Sequence, residues 1–371
     1  MSTTTTPLLM YVGTYTAIGQ PGRGRAEGLY VYSVDPQSGA LTPLHTVAGV
    51  ANPSFLAFHP NGRFVYTVNE ALETDGQPGG GVSAFARDPE TGDLTFLNRE
   101  PSHGTDPCFL TVDPTGRCVL VANYSSGSVA VLPLGEDGRL KPASYVDQHE
   151  GSSINPRRQQ GAHAHAIPID PSGQFALCPD LGMDQVFVYQ LDAAAGRLQH
   201  NDPVGAKLTP GAGPRHLDFH PSKPLAYVIN ELGSTVTTFA WDAAAGTLRE
   251  LQTISTLPEG FAEETTCADI HVDPTGRFVY GSNRGHDSIA AFAIDEATGT
   301  LTPLGHTPTG GRTPRNFAID PSGQFLFAAN QNTDTIVTFR LDPTTGRLTP
   351  TGQVTPVPSP VCLKFAPLGG L

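Results

Sequence analysis

The stretch DPTGRFVYGSNRGHDSIAAFAIDEATGTL, Asp273 to Leu301, decides how the rest of the chain is read. It opens on a Pro-Gly turn, enters a short apolar strand ending at Asn283, turns again, and runs through a second apolar strand to the Gly-x-Leu segment at Gly299. Both halves recur. The first half returns as HPNGRFVYTVN (His59 to Asn69), DPTGRCVLVAN (Asp113 to Asn123), DPSGQFALCPD (Asp170 to Asp180), HPSKPLAYVIN (His220 to Asn230) and DPSGQFLFAAN (Asp320 to Asn330). The second half returns with glycines at 39, 92, 138, 196, 246, 299 and 346, spaced 46 to 58 residues apart. Each turn is preceded by another short strand, such as RHLDF before His220, and each Gly-x-Leu opens a fourth. Four short strands joined by Pro, Gly and Asp turns, repeated at this period, predict an all-β, seven-bladed β-propeller with four antiparallel strands per blade.

One copy of the first motif is missing, and its halves lie at the two ends of the chain. VCLKFAP (Val361 to Pro367) matches the strand before the turn, and MYVGTY (Met10 to Tyr15) the strand after it. The last blade is therefore expected to be closed by both termini, which removes a free sheet edge. The 371 residues, with 41 Gly, 34 Pro and 15% charged residues, read as one turn-rich domain spanning 1–371. A single Trp argues against a WD-repeat protein. The longest departures from the period are the loops 73–81, 151–161 and 258–266, and loops are where such scaffolds carry function.

A net charge of −13 disfavours nucleic acid and anionic membranes as partners, so any anion site must be local. The N-terminal MSTTTTPLLMYV lacks a basic segment followed by a long apolar run, and no stretch approaches a membrane span. Five scattered cysteines without CxxC spacing predict reduced, structural thiols in a cytoplasmic protein; a monomer or weak homo-oligomer is expected.

Residues that the fold requires should recur from blade to blade, and residues that chemistry requires should not. The Asn closing the second strand recurs and is read as structural, as are Asp184, Asp287 and Asp334, four residues further on. Two registers vary instead. At the start of the first strand stand Ser54, Cys108, His165, Arg215, Ala268 and Arg315; just past the recurrent Asn stand Glu70, Tyr124, Leu181, Glu231, Arg284 and Gln331, with Tyr15 in the split blade. In a propeller both registers rim one mouth of the axial channel, so His165, Arg215, Arg315, Glu231 and Arg284 should converge there. Basic side chains gathered on an acidic protein imply a small anionic ligand. The bland alternatives are pins between blades for Arg215 and Arg315 and a solvated loop acid for Glu231, but Arg215 sixteen residues earlier in the same blade argues for chemistry at Glu231; Glu263 and Glu264 read as solvated. His163 and His165 share a strand face, as a metal pair would, but no third ligand shares their register, so neither metal nor organic cofactor is expected. GxSxG and Gly-rich phosphate loops are absent from the sequence.

GAHAHAIPIDPSGQFALCPDLGMDQV (Gly161 to Val186), GAGPRHLDFHP (Gly211 to Pro221) with YVINEL (Tyr227 to Leu232), DIHVDPTGRFVYGSNRGHDSIAAF (Asp269 to Phe292) and GRTPRNFAIDPSGQFLFAANQNTDTI (Gly311 to Ile336) together resemble the lactonase family of seven-bladed propellers. The likeness runs from YVGTYT to VCLKF. It implies His165, Arg215, Glu231 and Arg284 as the active-site group, and hydrolysis of a sugar lactone, 6-phosphogluconolactone above all. A departure is CADIH (Cys267 to His271), where many relatives read AEIH, so that Asp269 is a shorter acid. Such a reaction would use Glu231 or His165 as general base and Arg215 or Arg284 against the oxyanion. Arg315 or Arg312 would hold a phosphate or carboxylate, and Gln331, Tyr15, Glu70, Tyr124 and His163 would complete the substrate contacts. Two alternatives are a carboxymuconate-type lactonizing cycloisomerase and a non-catalytic propeller that binds an anion or a protein.

Overall fold

The computed structural model describes residues 7–16, 24–74 and 76–369; residues 1–6, on which part of the N-terminal reading rests, and Asp75 of the loop 73–81 lie outside these. Seven sheets follow one another around a ring. Blades 1 to 6 span residues 56–101, 107–148, 163–207, 214–255, 266–308 and 314–356. Blade 7 places Pro360–Pro367 innermost, followed by Leu8–Thr14, Gly28–Val34 and Leu41–Ala48. The pairing Leu8↔Pro367 through Gly13↔Cys362 is the expected closure by both ends of the chain. First strands of neighbouring blades touch one another, so they surround the axis.

Six sheets have four strands, and blade 3 departs from the rule. Its sheet comprises Phe175–Asp180, Gln185–Asp192 and Arg197–Lys207, and the segment before them joins only through isolated bridges, Ala164↔Asp180 and Ile169↔Ala176. Two prolines explain this. Pro168 and Pro179 lie on the facing segments, and each removes an N–H from the ladder. His165 N–H and Leu177 N–H still donate across the gap, to Pro179 O at 3.0 Å and Pro168 O at 2.9 Å.

The recurrent residues hold blade to blade. All seven Gly-x-Leu glycines have φ between 62° and 79°, a region that favours glycine. At Gly299 the reason is double, because a Cβ would also lie 2.5 Å from the Leu225 side chain of the preceding blade. Their carbonyls accept from tyrosines one blade back: Tyr11 to Gly92 (2.6 Å), Tyr66 to Gly138 (3.0 Å), Tyr227 to Gly299 (3.1 Å) and Tyr280 to Gly346 (2.8 Å). Where the turn carries Asp, that Asp caps its own loop, as Asp273 Oδ1 does for the N–H groups of Arg277 and Phe278. Asp184, Asp287 and Asp334 adopt positive φ and accept backbone N–H groups from the loop entering the next blade: Gly211 and Gly213, Thr313, and Ser359 respectively. Each is thus an inter-blade staple as well as a turn residue. The Asn side chains act similarly, with Asn283 Nδ2 donating to Thr256 O and Asn330 Nδ2 to Thr309 O.

Candidate active site

Backbone irregularities aim the first register into the channel. In blades 2, 4 and 6 the pairing skips one residue, between Pro107 and Phe109, Pro214 and His216, and Pro314 and Asn316. The extra residues are Cys108, Arg215 and Arg315. A bulge breaks the in–out alternation of a strand, so consecutive residues can both face the axis. The upper of the two layers so formed opens into a cavity of about 220 Å³ lined by Glu70, Cys108, Tyr124, Arg158, His165, Glu231, Thr266, Arg284 and Arg315. A larger concavity of about 910 Å³ lies away from the axis along outer strands, beside Gln37, Arg340 and Asp342. It gathers no comparable group of ionisable side chains.

Glu231 is the hub of the axial site. Its Oε1 meets Arg158 Nη2 at 2.7 Å, and its Oε2 meets Arg215 Nε at 3.0 Å and Arg284 Nη2 at 2.8 Å. Burial pushes this carboxyl up, but Arg284, Arg215 and Arg158 together outweigh burial and hold it well below the usual carboxylate range. An acid so firmly ionised, with three N–H donors on its oxygens, is a weak proton acceptor. Its charge instead keeps three cations side by side. Arg215, only 2% exposed, stands behind the cavity wall, and burial followed by Arg315 and Arg284 brings it down to about 10, so it remains a cation at neutral pH.

His165 lines the cavity. Burial, then the neighbouring Arg215, keep its imidazole well below its ordinary pKa, hence neutral near pH 7. Its Nδ1 lies 3.6 Å from Cys108 Sγ, and Tyr124 packs edge-on at 5.2 Å between ring centroids. Nε2 has no hydrogen-bond partner among the described residues. Cys108 is buried, and desolvation pushes its thiol up, so it is no ready nucleophile.

Of the residues read from sequence, the structure gathers His165, Glu231, Arg284, Arg315, Glu70 and Tyr124 around one cavity. Tyr15 supports the rim: its hydroxyl donates to Glu70 at 2.9 Å and its ring lies under Arg315 at 5.4 Å. Four others, His163, Arg312, Gln331 and Arg215, lie outside this lining. His163 stacks on Tyr124 at 4.6 Å and bonds to its carbonyl, behind the lining rather than in it. Arg312 is exposed, and Gln331, at the start of a 3₁₀ turn, is likewise absent from the lining. Arg215 reaches the cavity only through Glu231.

Arg158 was missed. It belongs to the loop 151–161, recognised as a departure from the repeat but not as a source of a site residue. Gln159 Nε2 bonds to Leu181 O and Asp184 Oδ1, and Ser153 Oγ bonds to Asp184, so the staple residue of blade 3 folds this loop over the mouth. Arg158 Nη2 then reaches Tyr124 Oη at 2.9 Å as well as Glu231. Two adjacent arginines in an aperiodic loop were the available signal. Among the described residues no group of three His, Cys, Asp or Glu side chains is placed to hold a metal ion, and no helix is long and apolar enough to cross a membrane.

A family model described as a lactonase, seven-bladed β-propeller, matches residues 9–365. The 6-phosphogluconolactonase of Bacillus subtilis (strain 168) is 39% identical over 97% of this chain and 99% of its own length. A 6-phosphogluconolactonase of Formosa agariphila is 36% identical over 83% of this chain and 85% of its own. Among solved structures, the periplasmic gluconolactonase PpgL of Pseudomonas aeruginosa superposes with a TM-score of 0.91 at 37% identity, covering 98% of this chain and 99% of that one.

Proposed function

The chain belongs to the lactonase family of seven-bladed β-propellers, and from that premise we propose that it hydrolyses a sugar lactone, 6-phosphogluconolactone, to the open-chain acid in the cavity around Glu231. The observation that supports this most is a neutral, buried imidazole sharing a small cavity with three arginines that line it. Such a site accepts an anionic ester and offers a base without first having to shed a proton.

In this mechanism His165 takes a proton from water as the water oxygen bonds to the lactone carbonyl carbon. The carbonyl electron pair moves to oxygen, where Arg284 meets the developing charge. Arg284 lines the cavity, donates to Glu231, and has an Nε–H buried without an acceptor. Collapse of the intermediate breaks the ring C–O bond, and the imidazolium returns its proton to the departing ring oxygen. The products balance: one water consumed, one carboxylic acid and one hydroxyl formed. Glu231 is assigned the holding of Arg158, Arg215 and Arg284 rather than the proton transfer. Sugar δ-lactones open unaided at an appreciable rate, so lowering the barrier by a few kcal/mol suffices. Five unpaired cysteines, all buried, fit a reducing compartment, and we place the protein in the cytoplasm.

The pH profile tests the base. His165 is active when neutral, and its lowered pKa means that the neutral form persists as pH falls through 6.5. The acid limb of kcat/KM for 6-phosphogluconolactone should therefore lie well below pH 6.5. A limb centred at or above that value would remove His165 from the role.

The remote phosphate falls to the arginines nearest the opening. Arg158 is 38% exposed, and Arg315 lies on the Tyr15 side of the cavity. Arg158→Lys keeps charge but loses the planar fork, so KM for 6-phosphogluconolactone should rise about tenfold, with kcat changed less than about twofold. Gluconolactone, which lacks the phosphate, should be nearly indifferent. Equal effects on both substrates would place Arg158 in the chemistry instead.

A further inference from the structure

Below the candidate active site the channel opens into a second cavity of about 220 Å³, lined by Phe55, Phe109, His216, Asp269, His271 and Asn316 among others. Phe109, His216 and Asn316 each follow a bulge residue of the upper layer, so the same irregularities that expose Cys108, Arg215 and Arg315 also turn their neighbours inward. This lower layer is a hydrogen-bond chain in which every proton position is dictated by the next partner.

The chain starts in blade 7. Leu363 N–H donates to Asn316 Oδ1 at 2.7 Å, which turns the amide Nδ2 toward Asp269 Oδ2. Asp269 also accepts from its neighbour Ile270 N–H at 3.0 Å and faces His271 Nε2 at 3.0 Å. Burial pushes this carboxyl up, but His271 and His216 outweigh burial and keep it ionised. An ionised carboxylate only accepts, so His216 Nδ1, 2.7 Å from Asp269 Oδ1, carries the proton. His216 Nε2 lies 3.1 Å from Arg215 Nη1, which only donates, so Nε2 carries the lone pair. Arg215 Nη1 donates also to Ala268 O, and Nε donates to Glu231. Phe109 and His165 pack against the His216 ring, at 5.5 and 5.4 Å, and fix its plane.

We propose that His216 and Asp269 are positioning residues, which hold Arg215, and through it Glu231, in the one orientation that organises the arginines of the site. Asp269 selects the tautomer of His216; that tautomer presents a neutral acceptor to a buried guanidinium. A cationic or reversed imidazole would set a donor against a donor and displace Arg215. The activity consequence rests on the proposed lactone hydrolysis, whereas the tautomer and the orientation do not.

The test has three arms. In the wild-type protein, side-chain ¹⁵N NMR should show His216 neutral with hydrogen on Nδ1 at neutral pH; hydrogen on Nε2, or a cation, overturns the inference. In His216→Leu, the Glu231 carboxyl followed by ¹³C NMR should titrate higher than in the wild type, because Arg215 is released. His216→Gln, whose amide can donate to Asp269 and accept from Arg215, should keep it low. Identical Glu231 titrations in all three proteins overturn the inference. In turnover of 6-phosphogluconolactone, His216→Leu should lower kcat about a hundredfold with little change in KM, and His216→Gln should recover most of it. Equal kcat in the two variants also overturns it. Should His216→Leu not fold, Asp269→Asn carries the same test, since its N–H₂ must face one of the donors that Asp269 now accepts. A wild type that opens no sugar lactone would overturn the proposed reaction, and the two NMR arms would still decide the positioning role.

Discussion

Replacing His165 by alanine is expected to lower kcat for 6-phosphogluconolactone by about 10²–10⁴-fold, the range that a lost general base commands. The imidazole is the group at the cavity that is both neutral near pH 7 and, at Nε2, unengaged among the described residues. Glu231→Gln should also be severe, for a different reason. Gln keeps the shape of Glu but leaves Arg158, Arg215 and Arg284 crowded together without their counter-charge, so KM and kcat should both suffer. Asp287→Asn is the control. Its Oδ1 accepts from the N–H groups of both Thr313 and Gly285, and an amide oxygen in the same place can accept both, so turnover should stay within about threefold. A pH-stat assay with the spontaneous rate subtracted distinguishes these. His165→Ala with near wild-type kcat would leave the mechanism without its base.

Deleting residues 359–371 is expected to abolish cooperative folding. The deletion removes Pro360–Pro367, the innermost strand of blade 7, and with it buried Val361, Cys362, Leu363 and Ala366. It exposes Leu8–Thr14 as a raw edge carrying Leu9, Met10, Tyr11 and Val12, all now buried. Fully buried Val and Leu side chains are worth about 1.5–3 kcal/mol each, and a domain has only about 5–15 kcal/mol in hand. Staples go as well: Asp334 loses Ser359 N–H, Asn316 loses Leu363 N–H, and Arg87 loses Pro367 O. Thermal melting followed by circular dichroism and solubility measures the outcome. A truncated protein that melts like the full chain would refute closure by both ends.

The ring, its number of blades and its closure were legible in the residues because they depend on local chemistry repeated many times. A Gly that takes positive φ in every Gly-x-Leu copy, and an Asp that caps its own turn wherever the turn carries one, are imposed by short-range geometry repeated along the chain. The two non-recurring registers were legible on the same logic, and they led to His165, Glu231, Arg284 and Arg315. What the tertiary structure alone decided depends on partners far apart in the chain. Arg158 comes to Glu231, 73 residues away, because Asp184 pins its loop, and nothing in a single loop sequence encodes that landing point. Arg215 and His216 both face the axis because one ladder pairing is skipped, whereas alternation along a regular strand would have sent one of them outward. Asp269, whose role the sequence left open, acquires its partners from blades 4, 5 and 6. Glu231 is ionised because three arginines outweigh its burial, and His165 is neutral because burial and neighbouring arginines act together, and both conditions exist only once the ring has closed.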